Sequence, residues 1–228
     1  MRILLVAATQ MEVKLLSDEC LFVRAVNDNM RSYLYENLEM DILITGIGAT
    51  CTTFFLTQAL LENSYSFVVN TGIAGSLSDQ YKIGDVVNIV EEEFADLGIE
   101  KEQEFLTLFD SGFLQSNEFP FENRTLKADS QNLAEFLPRV KGITSNISHG
   151  RESSIQELKN RFSANVVSME GAAVFYVCRW LGIPFLQIRS VSNMVVPRSL
   201  SKWDIPLALE NLKTELLKVL HELSARVQ

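Results

Sequence analysis

A chain of 228 residues that is 47% apolar and 21% charged has the material for one globular domain, expected to span residues 1–228 and to bury roughly 70–75% of its unfolded surface. A formal net charge of −9 with no lysine or arginine run argues against nucleic acid as a partner and leaves a small molecule as the expected ligand. No stretch is long and apolar enough to span a bilayer and the start lacks a signal peptide's length, so the expectations are no membrane partner and a cytoplasmic location.

Met1 to Ala8 (MRILLVAA) is an apolar, β-forming run, and Thr9 opens the helical segment TQMEVKLL. Strand, tight turn and helix therefore follow one another. Glu12 falls in the first helical turn, where the positive end of the helix dipole is by itself a sufficient reason for an acid. Cys20–Val26 and Ser32–Glu36, joined by Asn27-Asp28-Asn29, pattern as a hairpin. Asp41–Thr45 is a strand closed by Gly46-Ile47-Gly48, and Ala49–Asn63 is a helix with Phe55, Ala59 and Leu60 on one face. Phe67–Asn70 is the next strand, ended by a second glycine turn, Thr71-Gly72-Ile73-Ala74-Gly75. Two such turns imply close backbone approach to something. Neither is a dinucleotide fingerprint: GIGAT lacks a third glycine, and TGIAG opens no helix with an acid at the required distance.

Gly84-Asp85-Val86-Val87 begins a strand running to Val90, and Glu91–Glu93 reads as its solvated end. Residues 95–127 lose periodicity and are expected to form a peripheral excursion. Gln131–Leu137 patterns as a short helix, Lys141–Ser148 as a strand, and Glu152–Phe162 as a helix with Ile155, Leu158 and Phe162 inward. The stretch Ser168–Arg198 is a βαβ unit whose second strand, Phe185–Val191, is expected to be parallel and buried on both faces. Ligands of open α/β sheets bind beyond the carboxyl ends of strands, which would place Met169-Glu170 beside Ser192-Asn193 at one pocket. A final amphipathic helix runs from about Trp203 to Leu223. The alternation of strands and helices predicts an α/β class with a largely parallel central sheet. Cys20, Cys51 and Cys178 are widely spaced, form no CxxC pair and have only His149 and His221 for company. They read as buried structural thiols, with no metal site and no cofactor implied.

In order and spacing, AATQMEV, TGIGAT, NTGIAGSL, GDVV and SMEGAAVFYVCRWLGIPFLQIRSVSN resemble the motifs of the nucleoside phosphorylase and nucleosidase superfamily, across most of the chain outside residues 95–140. The resemblance implies a three-layer αβα fold around a mixed, partly barrel-like sheet, assembly as a homo-oligomer, commonly a dimer, and cleavage of a bond between ribose C1′ and a purine nitrogen. Phosphorylases of the family hold phosphate with arginines; the matching position here is Asn70, and Ala8-Thr9-Gln10 offers no cation. Water is then the implied nucleophile, with Glu12 at the position of the nucleosidase general base. Ala8 and Gly75 come with the matching turns as substrate-binding positions. Met169 would contact the ribose partly through its backbone. Glu170 would accept from ribose hydroxyls while its charge stabilises the developing oxocarbenium ion.

Asn193 stands where the adenine-releasing members carry aspartate, and Ile73 where they carry serine. Adenine presents an N7 acceptor and an N6 donor, whereas a 6-oxopurine presents acceptors at N7 and O6. A donating amide suits the second, and Ser192 would support it in the pocket. The run MVVPRSLSKW resembles the SNxVxPRxxxxW signature of futalosine hydrolases of menaquinone biosynthesis, whose substrate is inosine-like with a benzoate-bearing 5′ chain. Arg198 is the implied carboxylate partner and Trp203 a wall for the aromatic ring. The alternatives are a nucleosidase for methylthioadenosine, S-adenosylhomocysteine or aminofutalosine, a phosphorylase, and a non-catalytic nucleoside-binding protein. For His149 a contact with the base and a solvated loop position are both open.

Overall fold

A computed structural model describes residues 1–102, 104–200 and 202–226. In chain order its elements are β1 (Arg2–Ala7), α1 (Gln10–Ser17), β2 (Leu21–Asn27), β3 (Met30–Tyr35), β4 (Leu38–Ile44), α2 (Ala49–Glu62), β5 (Phe67–Ser76), β6 (Val86–Phe94), β7 (Gly98–Glu100), β8 (Phe105–Thr107), β9 (Leu126–Lys127), β10 (Arg139–Thr144), α3 (Glu152–Arg161), β11 (Val166–Ser168), α4 (Gly171–Leu181), β12 (Phe185–Met194) and α5 (Ile205–Ala225). The apolar runs are strands because both of their faces are covered. In β1, Leu4 and Val6 join one core with Leu56 and Leu60 of α2 and Phe175 of α4. Ile3, Leu5 and Ala7 join the opposite core with Val13 and Leu16 of α1 and Leu212 and Leu216 of α5. Full burial of a leucine or isoleucine side chain stabilises by roughly 1.5–3 kcal/mol, so this alternation fixes the register of the central strands.

The sheet order is β11-β10-β6-β12-β5-β1-β4-β3-β2, and β11 also pairs with β5. The strands β11, β10, β6, β12 and β5 therefore close into a barrel, while β1, β4, β3 and β2 continue as an open sheet. The result is a mixed αβα arrangement, and it corrects the largely parallel sheet read from the residues. The β12–β6 and β11–β5 pairs are antiparallel, as are both pairings of β3. Helix α4 does connect β11 to β12, but those strands are not neighbours along the sheet order.

Other expectations change with it. Thr71–Gly75 is not a turn: β5 runs through it to Ser76, because neighbouring side chains fill the space beside its glycines. Gln131–Leu137 forms no helix, and Gln131, Asn132 and Ala134 have positive φ of 48°, 60° and 56°. Leu133, Ala134 and Leu137 are nonetheless buried, because the Ala134 N–H is held by the Glu222 carboxylate at 3.0 Å and Leu133 packs in the α5 core, while Phe136 stays exposed. Glu91–Glu93 is not a solvated end, since Glu92 is 0% exposed. Of the thiols only Cys178 is buried, while Cys20 is half-buried and Cys51 exposed. Residues 95–127 form the β7–β8 hairpin and add β9 to β6, and Phe121 stacks against Tyr176 of α4. Among the described residues no helix is long and apolar enough to cross a membrane, and no three His, Cys, Asp or Glu side chains converge as a metal site.

Candidate active site

The chain leaves β1 through Thr9, whose extended conformation (φ −133°, ψ 153°) caps α1 and turns the first helical residues back over the strand end. Glu12 folds into that space. Its Oε2 accepts from the Thr9 N–H (2.9 Å) and hydroxyl (3.1 Å), and its Oε1 accepts from the Ile73 N–H (3.1 Å). One carboxylate thus ties the end of β1 to β5. Glu170 occupies the N-cap position of α4. Its Oε1 accepts from the Gly48 N–H (3.1 Å) and its Oε2 faces the Arg189 Nη2 at 3.4 Å. Burial pushes the Glu170 carboxyl above the usual carboxylate range, and Arg189 and the Gly48 N–H pull it back.

Arg189 is the site residue that the sequence pattern left unmarked. It lies in the middle of β12 with 1% exposure, its Nη1 3.9 Å from Glu12 Oε1 and 3.4 Å from the Thr71 carbonyl. An arginine inside a strand buried on both faces was itself the signal, because such a charge must be paired. One guanidinium serves two carboxyl groups, a formal charge count of −1 for the cluster. Gly72 makes that spacing possible: a Cβ there would lie 2.2 Å from Arg189 Nη1 and 2.4 Å from Glu12 Oε1. Gly72→Ala is therefore expected to lower turnover at least about tenfold and stability by about 1–3 kcal/mol, since Arg189 is wholly buried and Glu12 can yield only by giving up its hydrogen bonds to Thr9 and Ile73. Steady-state kinetics and a thermal melt check this, and near-normal turnover would show that the spacing is not required.

A bulge shapes the other wall. Val191 pairs with Ala74 and Asn193 with Gly75, so Ser192 is an extra residue in β12. A bulge re-aims side chains, and here Ser192 and Asn193 both reach the cavity instead of alternating across the sheet. The Ser192 hydroxyl donates to Asn193 Oδ1 (3.0 Å), with the Ala74 carbonyl as its other acceptor at 3.3 Å, and Asn193 Nδ2 donates to the Met194 carbonyl (3.2 Å). Gly75 leaves room beside this amide for Val195: a Cβ there would lie 2.7 Å from Val195 Cγ2 but at an ordinary 3.4 Å from Asn193 Nδ2. Trp203 bridges to Asn193, and the Asp204 N–H donates to the Ser192 carbonyl (2.9 Å), which ties the entry of α5 to the same strand end.

These groups enclose a cavity of about 270 Å³. Every site residue expected from the sequence borders it: Ala8, Glu12, Gly75, Met169, Glu170, Ser192, Asn193 and Arg198. So do Ile73, Trp203 and His149, whose ring Nε2 is 3.1 Å from the Ser145 hydroxyl and whose pKa burial lowers. Arg198 is exposed at the rim, with its N–H on the Gly150 carbonyl (2.9 Å) and its Nη2 3.4 Å from the Ser148 hydroxyl. Among the described residues bordering the cavity it is the only lysine or arginine, and none comes from 95–127. An anchored carboxylate, a second carboxylate at a helix N-terminus and an amide donor across from them suit a reaction that passes through a sugar cation and expels a base.

The sequence matches the phosphorylase superfamily over residues 2–225. A futalosine hydrolase of Acidothermus cellulolyticus is 31% identical, over 76% of this chain and 72% of its own. A 5′-methylthioadenosine/S-adenosylhomocysteine nucleosidase of Buchnera aphidicola is 28% identical, over 82% of this chain and 80% of its own. Among solved structures, the 5′-methylthioadenosine/S-adenosylhomocysteine nucleosidase of Neisseria meningitidis in complex with methylthio-immucillin-A superposes with a TM-score of 0.79 at 18% identity, covering 97% of this chain and 99% of that one. The chain belongs to the phosphorylase superfamily and is an enzyme of its nucleosidase, N-glycosyl-hydrolysing kind.

Proposed function

We propose that the chain hydrolyses the N-glycosidic bond of futalosine, releasing hypoxanthine and dehypoxanthine futalosine in menaquinone biosynthesis. The observation that carries the reading is the state of the Asn193 amide. Ser192 occupies its oxygen and the Met194 carbonyl one of its N–H groups, which leaves an N–H to offer to a base. A donor fits the N7 and O6 acceptors of hypoxanthine, whereas the N6 amino group of adenine would have to share the amide oxygen with the Ser192 hydroxyl.

In the reaction Glu12 takes a proton from water, and the water oxygen bonds to C1′ as the bond to the purine breaks. The electron pair of that bond leaves with hypoxanthine, which Asn193 stabilises by donation and which takes up a proton from solvent on departure, while Glu12 returns its proton to solvent to complete the cycle. Glu170 accepts from the ribose hydroxyls, and its charge, only partly offset by an Arg189 that also serves Glu12, stabilises the sugar cation. Arg198 pairs with the carboxylate of the 5′ chain and Trp203 walls its ring. Assembly as a homo-oligomer and a cytoplasmic location accompany this reading.

The Buchnera relative favours a second reading, an adenine-releasing nucleosidase. The two separate in a phosphate-free assay of futalosine, aminofutalosine and methylthioadenosine. Hypoxanthine release from futalosine is expected to exceed adenine release from the others by about 10²-fold in kcat/KM. Preferred adenine release would favour the second reading, a strict phosphate requirement would indicate a phosphorylase, and no turnover would leave a binding protein.

A further inference from the structure

Of the three acids that end β6, Glu91 pairs with Lys141 at 2.9 Å and Glu93 is half-buried, but Glu92 points into the closed barrel and is wholly buried. Among the described residues no cation lies within ion-pair distance of it, and Arg189, the nearest buried one, is engaged by Glu12 and Glu170. Its oxygens meet Gln187 Nε2 and Thr144 Oγ1, each at 3.0 Å. Thr144 Oγ1 also accepts from the Ala172 N–H (2.7 Å) in the first turn of α4, so its hydroxyl hydrogen is committed to Glu92. Two glycines make the room: a Cβ on Gly142 or Gly171 would lie 2.7 or 2.1 Å from Glu92 Oε1. Gly171 directly follows Glu170. Among the described residues Gln187 Oε1 is a buried acceptor without a donor, as is Asn70 Oδ1 on its register partner in β5. A protonated Glu92 supplies the missing hydrogen: with the Gln187 amide turned, the acid donates to its oxygen and the amide N–H₂ is freed toward Asn70.

We propose that Glu92 is a neutral carboxylic acid that positions Glu170, bridging Gln187 and Thr144 beneath the first turn of α4 and leaving Arg189 to Glu12 and Glu170 alone. Burial supports this by pushing its pKa up to about 8, with Glu170 adding to the rise and Gln187, Thr144 and Arg189 opposing it. Ionised, it would be a third carboxylate competing for one guanidinium. The inference rests on the reading of Glu170 as the ribose ligand.

Glu92→Gln keeps the shape and hydrogen-bonding capacity of the neutral acid and tests the idea. The variant is expected to fold, to keep kcat/KM within about threefold at pH 7, and to stay flat where the wild type declines above about pH 8. An infrared difference spectrum, wild type minus variant, is expected to show a protonated carboxyl band at pH 7 that fades through the same range. That spectrum needs no substrate, so failure of the wild type to cleave any nucleoside would count against the proposed function and not against the state of Glu92. The proposal is overturned by the absence of the band, by superimposable pH profiles, by a loss of tenfold or more in the variant at pH 7, or by its failure to fold.

Discussion

Glu12→Gln is expected to lower kcat by about 10²–10⁴-fold with a much smaller change in KM, the range that loss of a general base produces. The geometry adds a cost in stability. Both oxygens of Glu12 accept from backbone N–H groups, Oε2 from Thr9 and Oε1 from Ile73. An amide must therefore turn its N–H₂ toward one of those donors, and an unsatisfied buried contact of this kind costs about 1–3 kcal/mol. The variant should melt earlier yet remain folded, so turnover is to be measured well below its melting temperature. Turnover within tenfold of wild type would remove Glu12 from the mechanism and leave it the anchoring role that its hydrogen bonds already describe.

Asn193→Asp is expected to shift the ratio of hypoxanthine to adenine release by about 10²-fold toward adenine. The introduced carboxylate has no hydrogen for the acceptors of a 6-oxopurine and faces them with like charge. Toward adenine it offers a free acceptor for the N6 amino group even while Ser192 engages one oxygen. The bulge at Ser192 directs the side chain into the cavity in either case, so the change is one of chemistry more than of shape. Competition between futalosine and aminofutalosine in one reaction reads the ratio directly. An unchanged ratio would mean that purine choice is made elsewhere, with Ile73, which also borders the cavity, the next position to alter.

Much of this site was legible in the residues. The strand-one turn with Glu12, the Met169-Glu170 junction and the Ser192-Asn193 strand end were visible because apolar periodicity and the residues that break it are local properties. Arg189 was not, because nothing in the sequence says which acids will meet it. The expected turn at Thr71–Gly75 had the same origin: glycines punctuate turns, but Gly72 and Gly75 also clear space within a strand for Glu12, Arg189 and Val195. Gln131–Leu137 repeats apolar residues at helical spacing, yet the backbone follows the Glu222 carboxylate and the α5 core instead of its own periodicity.

The sequence by itself determined most of the strands and helices outside residues 71–75 and 95–137, that Glu12 and Glu170 stand at strand-to-helix junctions, and which family the motifs resemble, since each depends on residues close together in the chain. Tertiary structure alone decided that β11 closes on β5, that one arginine is shared by Glu12 and Glu170, that a bulge turns Ser192 and Asn193 into the same cavity, and that Glu92 enters the barrel with no cation paired to it among the described residues. Those outcomes depend on contacts between residues far apart in sequence, where burial removes water as a partner and each polar group must take what the neighbouring strands provide.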